Sequence, residues 1–413
     1  MRSRPCAVWF WLAAALAPPA AADFDPPRSI QFEGRAEWRS QLTWTREERA
    51  LSGADPSRDR GRREDSALWL NRLRIEAAAR WADRWAAEIS YDQEWLTGSA
   101  LDGVSVSGVR GRGMGTWLDA DRSFHEKDDL QVSHWLYRAW LRYEGEALEV
   151  TLGRQRIALG RGRLWNPTDL FNPIPPLAVQ ADQRIGEDAL LLRARVLPRM
   201  WAALIWAPRH DPDRHRAAAR LEWSEAGIDA ALMLASIERD RVLGADFARN
   251  LGGAALRGEL THTWRHSSGR FWQAVVSIDH TFRLGSGLYA LLEHFFNQNR
   301  FDSSSRDGLS EGMAPSPGVD LLARRRSDGP ARLVTRERNL TGMQLGYDLT
   351  PLVRVDLLWL HDWHGSSAAL VPSLRWSARD DLELEVGVQL FSGERGEYGE
   401  AANLFFVRFD AYF

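Results

Sequence analysis

Cysteine is nearly missing from this chain, with Cys6 the only one, so no disulfide framework is available and stability must come from a large core or a closed sheet. Lysine is equally scarce: Lys127 is the single example, and the cationic side chains are otherwise arginine. An excess of one charge is missing too, since the formal net charge is −3, which argues against nucleic acid as a partner. Beyond Ala7–Leu16 no long apolar run occurs, which excludes a helical membrane protein. Self-similarity at a period of 20–50 residues is also lacking, which excludes propellers and solenoids.

What is present points outward from the cell. Arg2 and Arg4 precede the apolar run, and Pro18, Pro19 and Ala20–Ala22 follow it. A positive start, a short apolar core and small residues at the exit match a secretory signal over 1–22, with Asp23 opening the mature chain. Cys6 lies ahead of the run, not after it, which argues against a lipoprotein. The 20 tryptophans favour sites that are half apolar and half wet, such as membrane interfaces.

Residues 30–45 decide the class. Ile30, Phe32, Gly34, Ala36, Trp38, Ser40, Leu42 and Trp44 alternate with Gln31, Glu33, Arg35, Glu37, Arg39, Gln41, Thr43 and Thr45. A strand sends alternate side chains to opposite faces, so one face is apolar and the other polar and charged. The same pattern recurs over 67–81, 85–97 and 382–391. Short turns and long loops must alternate between the two ends of an outer-membrane barrel, whose strand number is even. A count of seventeen would put the long segment 299–336 at the short-turn end. A further strand over 242–250, turning at Gly252-Gly253, restores the order. The expected strands are 30–45, 67–81, 85–97, 131–144, 147–157, 187–197, 201–207, 216–224, 228–238, 242–250, 254–265, 271–283, 287–298, 337–348, 353–362, 367–378, 382–392 and 401–413. The sequence thus predicts an all-β, transmembrane antiparallel β-barrel of about eighteen strands over 23–413, with short periplasmic turns and long extracellular loops. Sixteen stays open, because 201–207 and 242–250 are weak. The chain ends in "LFFVRFDAYF", with Phe405, Val407, Phe409, Ala411 and Phe413 on one face. That ending resembles the C-terminal sorting signal of outer-membrane barrels, carried by Phe409 and Phe413, and implies the barrel-assembly machinery as a partner beside outer-membrane lipid.

With the apolar face toward lipid, the charged face lines a lumen rich in arginine and interleaved acids. Arg138, Arg142, Arg154, Arg156, Arg193 and Arg195 form the densest basic set and lie on consecutive expected strands, hence on one wall. Arginine suits carboxylates and phosphates because its planar fork bonds both oxygens. Between the fifth and sixth strands lies 158–186, the third outward loop. It is longer than a compact connection needs, and its composition is that of an ordered segment. Trp165, Leu170, Phe171, Ile174 and Leu177 are apolar anchors, while Asn166-Pro167 and Asn172-Pro173 fix turns. Arg161, Arg163, Asp169, Asp182 and Arg184 supply charge. This loop is expected to fold inward as a constriction, with Arg161 and Arg163 near the basic patch. The loops 46–66, 98–130 and 299–336 are rich in Arg, Asp, Gly and Ser, and "ARRRSDGPARLVTRER", 323–338, is net positive.

Chemistry is hard to find. No nucleophile-elbow pattern occurs, His134, His262, His280 and His294 are scattered, and "HDWH" (His361, Asp362, His364) lacks a further supporting partner nearby. No enzyme, cofactor or metal is expected. The segment "YRAWLRYEGEALEVTLGRQRIALGRGR", 137–163, is similar to the alginate-export family of outer-membrane channels. That resemblance implies passage of an anionic polysaccharide or small solute through an Arg-rich lumen. "LWNPTDLFNP" departs from that family and resembles the constriction loops of other porin-like proteins. The expectation is a passive outer-membrane channel for a charged, anionic solute or polysaccharide, with a structural, adhesion or assembly-associated barrel of plugged lumen as the alternative and an outer-membrane enzyme ranked behind it.

Overall fold

In the computed structural model, the described residues are 30–48, 63–99, 117–118, 120, 122–127, 130–172, 176–177, 186–266, 269–298, 335–399 and 401–413. Among them the wall starts with β1 (Gln31–Glu48), β2 (Arg63–Trp81) and β3 (Trp85–Thr97). A short β4 (Arg122–Lys127) precedes β5 (Leu130–Glu144) and β6 (Leu148–Gln155). After the third outward loop come β7 (Glu187–Leu197), β8 (Met200–Ala207), β9 (Arg216–Glu225), β10 (Ile228–Ile237), β11 (Asp240–Leu251) and β12 (Ala254–Trp264). The wall continues through β13 (Arg270–Phe282), β14 (Leu288–Asn297), β15 (Asn339–Thr350) and β16 (Val353–Asp362). It ends with β17 (Ser367–Arg379), β18 (Leu382–Ser392) and β19 (Asn403–Tyr412).

Each wall strand pairs antiparallel with its neighbours in sequence, and β19 returns to β1 over Glu37↔Tyr412 to Arg46↔Asn403. This closes an eighteen-stranded barrel without a free edge. β4 stands outside the ring. It pairs with the upper part of β5 over 130–134, whereas β6 pairs with β5 only over 139–144. It therefore covers the edge of β5 that β6, stopping at Gln155, leaves open. Both weak strands form, as β8 and β11. Sixteen strands is thereby excluded.

The alternation is what produces two faces. Phe32, Ile75 and Leu234 are exposed on the outside, whereas Arg39, Arg72 and Arg74 point inward and are buried. Short turns lie at the end that holds both termini of the wall. Two of them need left-handed backbone at both positions, Ala226-Gly227 and Gly252-Gly253, which is the geometry a two-residue hairpin demands. Glu238-Arg239 makes the same turn at the opposite end without glycine.

One irregularity resets the pattern. Between Ser90↔Arg138 and Tyr91↔Leu136 the β5 residue Tyr137 has no partner. This bulge turns Tyr137 and Arg138 to the same, inner side. The Arg74 and Arg138 guanidinium carbons then lie 3.4 and 4.1 Å from the Tyr137 ring centre. Above the bulge, over 130–136, the phase is shifted, so Trp135 faces inward and its indole donates to Asp92 at 3.0 Å.

The expected leader, 1–22, the segment 323–334, Pro173, Ile174, Asp182 and Arg184 lie outside the described residues.

Candidate functional site: the infolded third loop

The loop begins where β6 ends and turns into the barrel. Ile157, Leu159, Leu170 and Phe171 bury themselves against Ala189, Ile205, Ala218, Met233 and Val242, on the inner faces of β7 to β11. Further along, Trp165 is 2% exposed and stacks on Phe295 of β14 with ring centres 5.7 Å apart. It joins Val275, Leu340, Leu360 and Ala369, the inner faces of β13 to β17. Leu177 packs on the edge of the same cluster, and its carbonyl accepts from Gln389 of β18 at 3.0 Å. The loop thus lies against the inner face of the wall from β7 to β18.

Two wall carboxylates hold it there. Glu259 of β12 accepts the backbone N–H groups of Arg161, Gly162 and Thr168 and the Thr168 hydroxyl. Glu293 of β14 accepts the N–H groups of Arg163, Leu164 and Trp165 at 2.8, 2.9 and 2.7 Å. Successive amides aimed at one anion make a compact nest. Each bond to a charged acceptor contributes about 1.5–3 kcal/mol, so these seven outweigh any single apolar contact in placing the loop. Gly160 permits the approach: its φ is +80°, and a Cβ there would collide with Asn166, Thr168 and Glu259. Asn166 donates from Nδ2 to the Leu159 carbonyl, Pro167 is buried beside it, and Asn172 donates from its backbone to Asp169 and from Nδ2 to the Ile157 carbonyl. The Asn residues thus close the loop on itself, in keeping with the turn chemistry of Asn-Pro.

Pinned by its backbone, the loop sends its arginine side chains elsewhere. Arg161 Nε lies 2.9 Å from Asp246 of β11, which also binds Arg220 through both nitrogens at 2.6 and 2.9 Å. Arg220 continues to Glu222 at 2.7 Å, Glu222 to Arg193 at 3.4 Å, and Arg193 to Glu149 at 2.8 Å. A continuous chain of ion pairs therefore runs from the loop down the inner wall to the short-turn end. Arg163 turns the other way. Its side chain is 52% exposed and stands 4.0 Å from Asp279, which is itself held by Arg257 at 2.8 Å and by the Tyr289 hydroxyl at 3.1 Å.

The basic set read from the sequence separates into distinct roles. Arg193 and Arg195 face the lumen with Trp201, at 5.2 and 5.0 Å from its ring centre. Arg142 packs on Trp140 and bonds Thr151 and Glu144. Arg138 sits against Tyr137 as described. Arg156 is exposed just beyond β6. Arg154 has a seam position: it bonds Asp188 at 2.8 and 3.1 Å, the Leu136 carbonyl at 2.8 Å and the Leu118 carbonyl at 2.5 Å. It ties β6 and β7 to β5 and to the second outward loop. On the wall away from the third loop, Arg39 and Arg72 are direct cross-strand partners sharing Glu37, and Arg39 also bonds Asp410.

Solved structures share this architecture. A BenF-like porin from Pseudomonas fluorescens Pf-5 superposes with a TM-score of 0.52 and 11% identity, over 92% of this chain and 98% of that one. Acinetobacter baumannii OccAB1 gives 0.50 and 11%, over 92% and 96%, and Pseudomonas aeruginosa OccK7 gives 0.50 and 10%, over 93% and 98%. The chain has the porin fold. That fold places it in the bacterial outer membrane, with the short turns periplasmic and the infolded loop entering from the extracellular side. No protein-family model and no curated protein matches the sequence. The porins named here support the coarser part of the family expectation; the alginate-export resemblance stays with residues 137–163.

Sequence reasoning counted Glu259 and Glu293 among the inward acids, but not as loop holders. The available signal was "GRGRLW" itself, a run of amides with two glycines and few local acceptors. The "HDWH" residues diverge in space. His361 stacks on Trp359 and meets Trp363 edge-on at the outer face, while Asp362 accepts from the His364 and Gly365 amides, the Ser367 hydroxyl and the Glu397 amide. Asp362 organises loops. Phe409 faces lipid on β19, and the Phe413 backbone pairs with Ala36 at the seam of closure.

Proposed function

We propose that the protein is a passive channel admitting small anionic solutes, carboxylates or phosphates, past the third loop. Selection works by size at the narrowed section and by electrostatic focusing along the arginines, with no energy input. The observation that carries this reading is Arg163. Its backbone is fixed by Glu293, its side chain stands half-exposed in the lumen, and its nearest described carboxylate is at the outer limit of an ion pair. A rigid, incompletely neutralised guanidinium is a suitable transient contact for an anion, strong enough to attract and weak enough to release.

The test is reversal potential in a salt gradient across a planar bilayer. Wild type is expected to prefer anions, and Arg163→Glu should lower the anion-to-cation ratio by roughly threefold. Cation preference in wild type would overturn the anionic reading. Absence of any conductance would return the protein to the structural or adhesion reading. Polysaccharide passage is the narrower version, supported by the likeness of 137–163. Current block by uronate oligomers but not monomers would favour it.

A further inference from the structure

The outer wall has a concavity that the channel reading does not use. Across β8 to β13, Trp206, Ala217, Ser236, Arg241, Trp264 and Arg270 are successive direct partners, forming one outward-facing row near the extracellular end. One step toward the bilayer centre, Leu204, Ala219, Leu234, Leu243, His262 and Trp272 form the next row. In both rows the β9 position is alanine: Ala219 lies between Leu204 and Leu234, and Ala217 between Trp206 and the small Ser236. The outcome is a groove of about 920 Å³, floored by Ala217 and Ala219 and walled by leucines of β7, β8 and β10. Its sides stand two strand spacings apart, roughly 9–10 Å between backbones, which leaves room for an extended hydrocarbon chain.

The head of the groove is basic. Arg241 lines it, and Arg270 lies two strands away in the same row, with Trp264 between. Both guanidinium groups are exposed on the lipid side, and among the described residues neither has an ion pair. Each lies at the extracellular end of its strand, where headgroups sit and where a charged side chain is tolerated. Apolar walls below and two unneutralised cations above complement an amphiphile with an anionic head.

We propose that this face binds one phosphorylated lipid of the outer leaflet, an acyl chain lying over Ala217 and Ala219 and a phosphate meeting Arg241 and Arg270. The site is independent of what passes through the lumen. The test uses the full barrel in phosphatidylcholine nanodiscs, with or without lipid A or phosphatidylglycerol, read by native mass spectrometry. Wild type should retain one lipid A per barrel and not one phosphatidylglycerol. The double variant Arg241→Gln/Arg270→Gln should weaken retention by about tenfold, through loss of two charge-assisted contacts. Ala219→Trp should abolish it by filling the floor. Heat-modifiable migration on gels reports whether each variant is folded; should Ala219→Trp fail, Ala219→Leu and the arginine pair carry the test. Equal retention by the variants, equal retention of phosphatidylcholine, or a dimer mass lost with Ala219→Trp would overturn the proposal, the last by putting a second copy of this chain in the groove.

Discussion

At the scale of single residues, two carboxylates do what a covalent link would do elsewhere. Glu259 and Glu293 gather backbone donors from Arg161 to Thr168, so the loop's position depends on acceptors supplied by the opposite wall. Replacing Glu293 by Ala leaves three amides without that acceptor, at about 1–3 kcal/mol for each one that stays dry. The wall itself loses no ladder bond. The expected outcome for Glu293→Ala is a folded barrel with higher and noisier open-channel current, measured on single channels. An unchanged trace would mean that Trp165 and the apolar anchors hold the loop without the carboxylate.

At the scale of elements, the outward loops are tied to one another. Glu397, between β18 and β19, accepts the Arg336 and Glu337 amides just ahead of β15, and its own amide donates to Asp362. Burial pushes its carboxyl up from an ordinary 4.5 to about 7, with Asp362 adding to the rise. The folded value lies above the unfolded one, so the protonated form is the stabilised one. That contribution is complete below about 4.5 and is lost as pH rises toward and through about 7. Protection factors at 335–338 and 396–398, which are exchange rates corrected for base-catalysed intrinsic exchange, should therefore fall between pH 5 and 8, and Glu397→Gln should flatten that profile. A flat wild-type profile would sink the assignment.

The same elements show what was legible in the chain. Alternation fixes a strand's faces, and parity of loops fixes the count, which is why weak β11 was recovered. The bulge at Tyr137 was not, since one extra residue leaves composition unchanged and only shifts the phase for 130–136. β4 was missed because it has no face of its own in the wall. Trp165, Asn166, Pro167, Phe171 and Asn172 were readable as an ordered loop because turn chemistry is local. Their partners were not, because Glu259 and Glu293 lie about a hundred residues away and resemble every other inward acid. Arg154 was read as a lumen residue although it shares the parity of the outward Leu152; its bonds to Asp188 and to the Leu136 and Leu118 carbonyls at the end of β6 give it a seam position.

At the scale of the molecule, wall and loop are separable. Closure rests on the β1–β19 pairing and its continuous register, to which the third loop contributes no strand. The loop, by contrast, rests on the wall at every anchor, from Ile205 on one side to Phe295 and Gln389 on the other. Dependence therefore runs one way. Deleting 160–177 removes Trp165, Arg161 and Arg163 together, opens the narrowed side and breaks the ion-pair chain at its upper end, while Asp246 keeps Arg220. The deletion variant should still migrate as a closed, heat-modifiable barrel. Its conductance should rise about twofold or more and its ion selectivity weaken, because both are set at the narrowest charged section. Loss of the folded band would show that the loop is part of the wall's stability. Unchanged conductance in a folded barrel would move the narrowest section to another part of the lumen.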